Sequence, residues 1–335
     1  MEKDRIIKVF CAYIKSIKNY VVIVSLLLFT AGCKKDKGND NVAPGEKIQL
    51  QVKRFEVAFS KTTLETLEET RSDFPYLFPK NFPDSIWIYR LRDTLQKSLL
   101  KETIKAFPDF KKEQKELENL FQYIRYYFPD TSIPEVVTLT SDVDYRNKVI
   151  YTDTLLLISL DTYLGENHRF YKGIQQYIRK NFTRDQIIPD VAVAFAEQKV
   201  GGLQSRSFIE RMVYHGKLLY LKDQLIPSVS DARKMGYSEE EFIWVRENEP
   251  EIWRYFVERE LLFSTDSGLT ARFINPAPFS KFYLELDTES PGRVGQYIGW
   301  QIVRAYMRNN AVSLQHLLNL PGEELFAASG YKPQR

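Results

Sequence analysis

Both cysteines of this chain, Cys11 and Cys33, lie within its first 33 residues. Everything beyond them must fold without a disulfide, a cysteine-bound zinc or a thiol nucleophile. A chain of 335 residues is long enough to bury a sizeable core without such staples. With 20 Tyr and 22 Phe, that core is expected to be rich in aromatic rings.

The N-terminal segment reads as an export signal. Lys3, Arg5, Lys8, Lys15 and Lys18 precede the apolar run VVIVSLLLFTAG (21–32). Twelve residues are short for a hydrocarbon layer of about 30 Å but suit a signal-peptide core that ends in small residues before Cys33. FTAGC resembles a bacterial lipobox, with Thr30 where leucine is usual. The resemblance implies that residues 1–32 are removed and that Cys33 carries acyl chains such as palmitate. Each buried CH2 of such a chain contributes about 0.8 kcal/mol to membrane attachment. An uncleaved signal anchor is the alternative reading. Residues 1–32 also carry the whole net charge of +3, so the remainder is neutral and the pI near 8.5 belongs to the leader. Nothing here favours a nucleic-acid partner.

KKDKGNDNVAPGEK (34–47) is polar and lacks apolar periodicity, so residues 33–47 read as a lipidated N-terminus and flexible tether. Residues 48–335 are expected to form a single globular domain. In IQLQVKRFEVAF (48–59), apolar residues alternate and predict strands. Helical periodicity predicts helices in 62–72, 84–106 and 110–128, the last with Leu117, Leu120, Phe121 and Ile124 on one face. EVVTLTSDVDYRNKVIYTDTLLLISL (135–160) predicts a three-strand antiparallel meander. The connection that follows carries Asp161 and His168, and the chain is then mostly helical. The class is α+β, predominantly helical with a small central antiparallel or mixed sheet.

One of only three histidines sits in RMVYHGKLLYL (211–221). On a helix, Phe208, Met212, His215 and Leu219 share a stripe, with Arg211 and Lys222 near its edge. A zinc peptidase helix needs H-E-x-x-H: two imidazoles one turn apart, and a carboxylate to activate water. Aligned on His215, the other two positions fall on Arg211 and Met212, and neither can do that chemistry. His215 therefore reads as a packed histidine or as the remnant of a zincin-like scaffold that kept a cleft. Gly216 beside it lowers helix propensity by roughly 1 kcal/mol relative to Ala, which implies a close neighbour. In ENEPEIW (247–253), Glu249 could supply a carboxylate, although a solvated helix start is the plainer role. In SPGRVGQYIGWQIVRAYM (290–307), Ser290 and Pro291 suit a helix start. Gly295 and Gly299, four apart, leave one face open to close helix packing, which is the favoured reading. GRVG at the helix start, with Arg293, could in principle hold an anion but lacks a Gly-rich strand turn before it. No G-x-S-x-G elbow for a serine nucleophile is present.

RFEVAF, LDTYLG, RMVYHGKLLYL, NEPEIWRYFVERELL, NPAPFSKFYLELDTESPGRVGQYIGWQIVRAYM and SGYKP occur in this order. Together they resemble the gliding-motility lipoprotein family GldB of Bacteroidota, over about residues 48–333. The resemblance implies a cell-envelope lipoprotein facing the periplasm, with gliding and protein-secretion components as partners and no cofactor beyond the lipid on Cys33. It transfers no reaction. A looser resemblance links the order of elements to predicted zinc-dependent peptidases, as a pseudoenzyme. The expected role is non-catalytic binding or assembly, with a peptide or glycan in a cleft near His215, Gly216, Arg211, Asp161, His168, Glu249 and Arg293. The alternative is a zincin-like hydrolase with a non-standard site around His215 and Glu249.

Overall fold

A short β2 strand, Glu135–Leu139, organises the molecule because both of its faces are covered. Val136 and Val137 are each 0% exposed and point to opposite sides of the sheet. Val136 joins the main core, and Val137 joins a smaller one built on Phe55, Phe59, Leu67, Phe74, Phe78 and Leu100. A strand buried on both faces reads as a continuous apolar run, as EVVTL does. The computed structural model describes residues 45–285 and 287–333. The leader, Cys33 and most of the tether lie outside the described residues.

The sheet has four strands in the order β1-β2-β4-β3, with β1 at Val52–Arg54, β3 at Val149–Tyr151 and β4 at Leu155–Ser159. β1 pairs parallel to β2, with Val52 opposite Val136. β2 pairs parallel to β4, with Val136 opposite Leu156, and only β3 runs antiparallel, with Tyr151 opposite Leu156. The three strands are therefore not the expected meander. β3 and β4 form a tight hairpin, but β4 passes β3 to lie beside β2, and β3 takes the edge.

The strand expectation for 48–59 holds only at Val52–Arg54, after which Phe55–Lys61 is helical. FEVAFSK satisfies both periods, and the helical one wins because Phe55 and Phe59 stack one turn apart, 5.2 Å between ring centres. The turn also buries Glu56, which accepts hydrogen bonds from Thr138 Oγ1 at 2.7 Å and Arg54 Nε at 2.8 Å. The predicted 84–106 helix is two helices, Asp84–Arg92 and Thr94–Ala106. Between them Asp93 leaves helical geometry and its carboxylate caps Leu95 N–H at 2.8 Å. The helix Lys111–Tyr127 buries Leu117, Leu120, Phe121 and Ile124 as expected.

Two long helices fill the main core. The histidine helix, Phe208–Leu225, starts at Ser207, whose hydroxyl accepts Glu210 N–H. The glycine helix, Val294–Asn309, is buried on nearly every side, with Trp300, Ile302 and Val303 at 0% exposure. Such an all-round apolar helix belongs at the centre of a fold. At its far end Arg304 makes a two-pronged ion pair with Asp223 of the histidine helix, at 2.7 and 2.8 Å, and reaches Asp231 at 2.8 Å. No helix among the described residues is long and apolar enough to cross a membrane.

Candidate functional site

The histidine and glycine helices touch backbone to backbone. A Cβ on Gly216 would overlap the carbonyl of Gly299, and one on Gly299 would overlap the carbonyl of Met212. Gly295, one turn earlier, leaves room for Phe273 O and Ile274 Cδ1, each 2.9 Å from where its Cβ would stand. The close neighbour implied by Gly216 is thus the glycine helix itself.

His215, on the histidine helix, is half-buried, in edge contact with the Tyr214 ring at 5.3 Å. Burial first, and the nearby Arg293 guanidinium second, push its pKa down to about 4. A neutral imidazole is thus the resting form. Arg211 and Lys222, expected to flank it, are engaged elsewhere. Arg211 Nη1 donates to Thr270 Oγ1 at 2.7 Å, and buried Lys222 donates to Lys234 O at 2.8 Å.

The other candidates disperse. Glu249 is 2% exposed rather than solvated, and accepts the hydroxyls of Tyr297 and Tyr331, both at 2.8 Å. Burial and this carboxylate push both phenols far above their usual range. His168 accepts Phe170 N–H at 3.4 Å, and its Nε2 stands 3.8 Å from Glu102. Asp161, 0% exposed, accepts Ser141 N–H at 3.0 and 3.1 Å and Val143 N–H at 2.7 Å. Burial lifts its pKa to about 6, against the pull of those N–H groups. It braces a turn in which Asp142 and Val143 both take left-handed backbone, φ +58° and +60°. For β-branched Val143 that conformation is strained and persists only where other contacts impose it. Among the described residues, no three His, Cys, Asp or Glu side chains converge in a geometry that could hold a metal ion.

One candidate, Arg293, opens onto a cavity of about 290 Å³. Ser290 does not cap the glycine helix as expected, because its hydroxyl is tied to Asp287 O at 2.7 Å and Ser280 O at 3.2 Å. The chain instead enters the helix through Arg293, in left-handed backbone at φ +67°. That conformation costs an L-residue about 1–2 kcal/mol. Its guanidinium donates to Gly236 O at 3.0 Å and lies 5.2 Å from the Tyr237 ring centre. Three more cations line the cavity: Arg146, Lys148 and Lys180. Lys148 pairs with Asp190 and Lys180 with Glu241. Arg146 and Arg293 have no ion-pair partner among the described residues. The braced turn at 142–143 leads directly into Tyr145, Arg146 and Lys148, so Asp161 acts on the cavity wall without lining it.

Sequence reading missed Arg146, Lys148, Lys180 and Tyr237. They come from three separate segments, each with ordinary surface composition. The one available signal was the pair of cations in DYRNK (144–148), which reads there as turn chemistry.

A helix-dominated α+β domain with a small mixed sheet, two interlocked central helices and a cation-lined cavity defines the class of protein. The chain belongs to the family described as gliding motility protein GldB, whose family model matches residues 35–333. It is therefore a gliding-motility-associated lipoprotein. No curated protein and no solved structure matches the chain.

Proposed function

We propose that this chain acts as a non-catalytic binding or assembly component of the gliding machinery, held at a membrane by acylated Cys33 and facing the periplasm. The observation that carries this reading is the engagement of the polar groups that hydrolysis would need. Glu249 receives two tyrosine hydroxyls, Asp161 braces a turn and His168 faces Glu102, while the Arg293 cation near His215 opposes a second positive charge there. A zinc hydrolase instead requires an open coordination position and a carboxylate within reach of the metal-bound water. The balanced charge of the chain beyond residue 32 fits an envelope protein whose partners are proteins rather than nucleic acid.

The test is elemental analysis of the purified protein together with gliding assays of His215→Ala and Glu249→Gln. The reading expects sub-stoichiometric zinc, no effect of chelator, and gliding defects only where the protein is depleted. One zinc per chain, or a hydrolytic activity abolished by His215→Ala at normal protein levels, would overturn it.

A further inference from the structure

We infer that the cavity walled by Arg146, Lys148, Lys180 and Arg293 is a binding site for a phosphate monoester on a compact body, such as a sugar, a glycerol or a lipid headgroup. The inference goes beyond the assembly role and is tested apart from it.

Of the four cations, Lys148 and Lys180 are paired with Asp190 and Glu241, Arg146 has the neighbouring Asp144 carboxylate close enough to feel its charge, and Arg293 makes no ion pair among the described residues. The wall therefore carries an excess of positive charge centred on Arg293, with the exposed Arg146 fork free to turn inward, which suits the about −1.5 to −2 of a phosphate monoester at neutral pH. Buried Lys222 stands behind the wall, near Arg293 and Lys148, with Asp190 and Glu197 offsetting its charge. Arginine suits phosphate because its planar fork makes paired hydrogen bonds to two oxygens.

At about 290 Å³ the cavity sits at the lower end of the range for small-molecule sites, enough for one headgroup and not for a polymer. Its wall is held in place. Arg293 lies over the Tyr237 ring, and Tyr237 donates its hydroxyl to Gly292 O. Lys180 Nζ stands 5.6 Å from the same ring centre, and Asp161 fixes the turn that carries Arg146. An arginine kept in left-handed backbone, where glycine would be free of strain, indicates a side chain retained for what it faces.

The experiment is isothermal titration of the full chain, purified in detergent, with glycerol 3-phosphate, and with glycerol as the neutral control. Saturable binding of glycerol 3-phosphate without binding of glycerol is expected. Arg146→Gln, on an exposed turn, and Arg293→Gly, which suits φ +67°, should each weaken it by about tenfold, one lost charged contact. Phosphatidylcholine vesicles doped with phosphatidic acid separate the sources. Displacement of glycerol 3-phosphate by doped but not by plain vesicles assigns a lipid headgroup, and no displacement assigns a soluble phosphate ester. No binding of glycerol 3-phosphate, equal binding of glycerol, or binding untouched by both variants overturns the inference.

Discussion

Gly216 and Gly299 face each other across the two central helices, each standing where a methyl group would collide with the backbone of the opposite helix. The contact welds residues more than eighty positions apart into the main core, and it puts His215 and Arg293 close enough to influence each other.

Gly299→Ala and Gly216→Ala should therefore each destabilise the protein, by about 2–3 kcal/mol, the upper range for overpacking. Helix propensity alone has the opposite sign, favouring alanine by roughly 1 kcal/mol. Urea denaturation decides between them. A midpoint unchanged or raised by either substitution would mean that the helices do not meet there.

His215 and Asp161 set opposing pH dependences. His215 has a folded pKa of about 4, below its ordinary 6.5, so the unfolded chain takes up a proton first and stability falls as pH drops from 6.5 towards 4. Asp161 has a folded pKa of about 6, above its ordinary 3.8, so its neutral form favours the fold and stability rises over nearly the same descent. Each effect amounts to about 3 kcal/mol at most, and the two largely cancel. Relative to the parent protein, Asp161→Asn should lose stability on acidification and His215→Gln should gain it. Denaturation curves at pH 6.5 and 4 check this, and identical pH slopes in all three proteins would refute it.

Tyr331 anchors the C-terminal segment through its hydroxyl on Glu249, at 2.8 Å. Tyr331→Phe leaves the ring on Trp253, at 5.0 Å between centres, but removes a hydrogen bond to a carboxylate. The expected cost is about 1.5–3 kcal/mol, with faster amide exchange in Gly322–Ser329. Unchanged exchange there would show that the ring contact alone holds the terminus.

Cys33→Ala should abolish lipid labelling and release the protein from membranes. Persistent membrane retention of an uncleaved precursor would point to a signal anchor instead, a distinction that gel mobility makes directly.

Several local features were legible in the residues themselves. The helix Lys111–Tyr127 could be read because four apolar residues at helical spacing leave one way to bury them. Close packing at Gly216, Gly295 and Gly299 could be read because a missing side chain in a helix has a propensity cost that only a near neighbour offsets. Which neighbour it was could not be read. The FEVAFSK segment misled because alternation and helical spacing coincide over seven residues, and Thr138, far along the chain, supplied the partner for Glu56.

By itself, then, the sequence determined a cysteine-free, aromatic core of mostly helical periodicity, a family, and the absence of a complete H-E-x-x-H on the histidine helix. These are local properties of spacing and side-chain chemistry. Tertiary structure decided that β4 lies parallel to β2, that Glu249 is buried under two tyrosines, and that Arg146, Lys148, Lys180 and Arg293 meet around one cavity. Each joins segments separated along the chain, and the pairing of charges at such a meeting follows from distances in space that no spacing along the chain encodes.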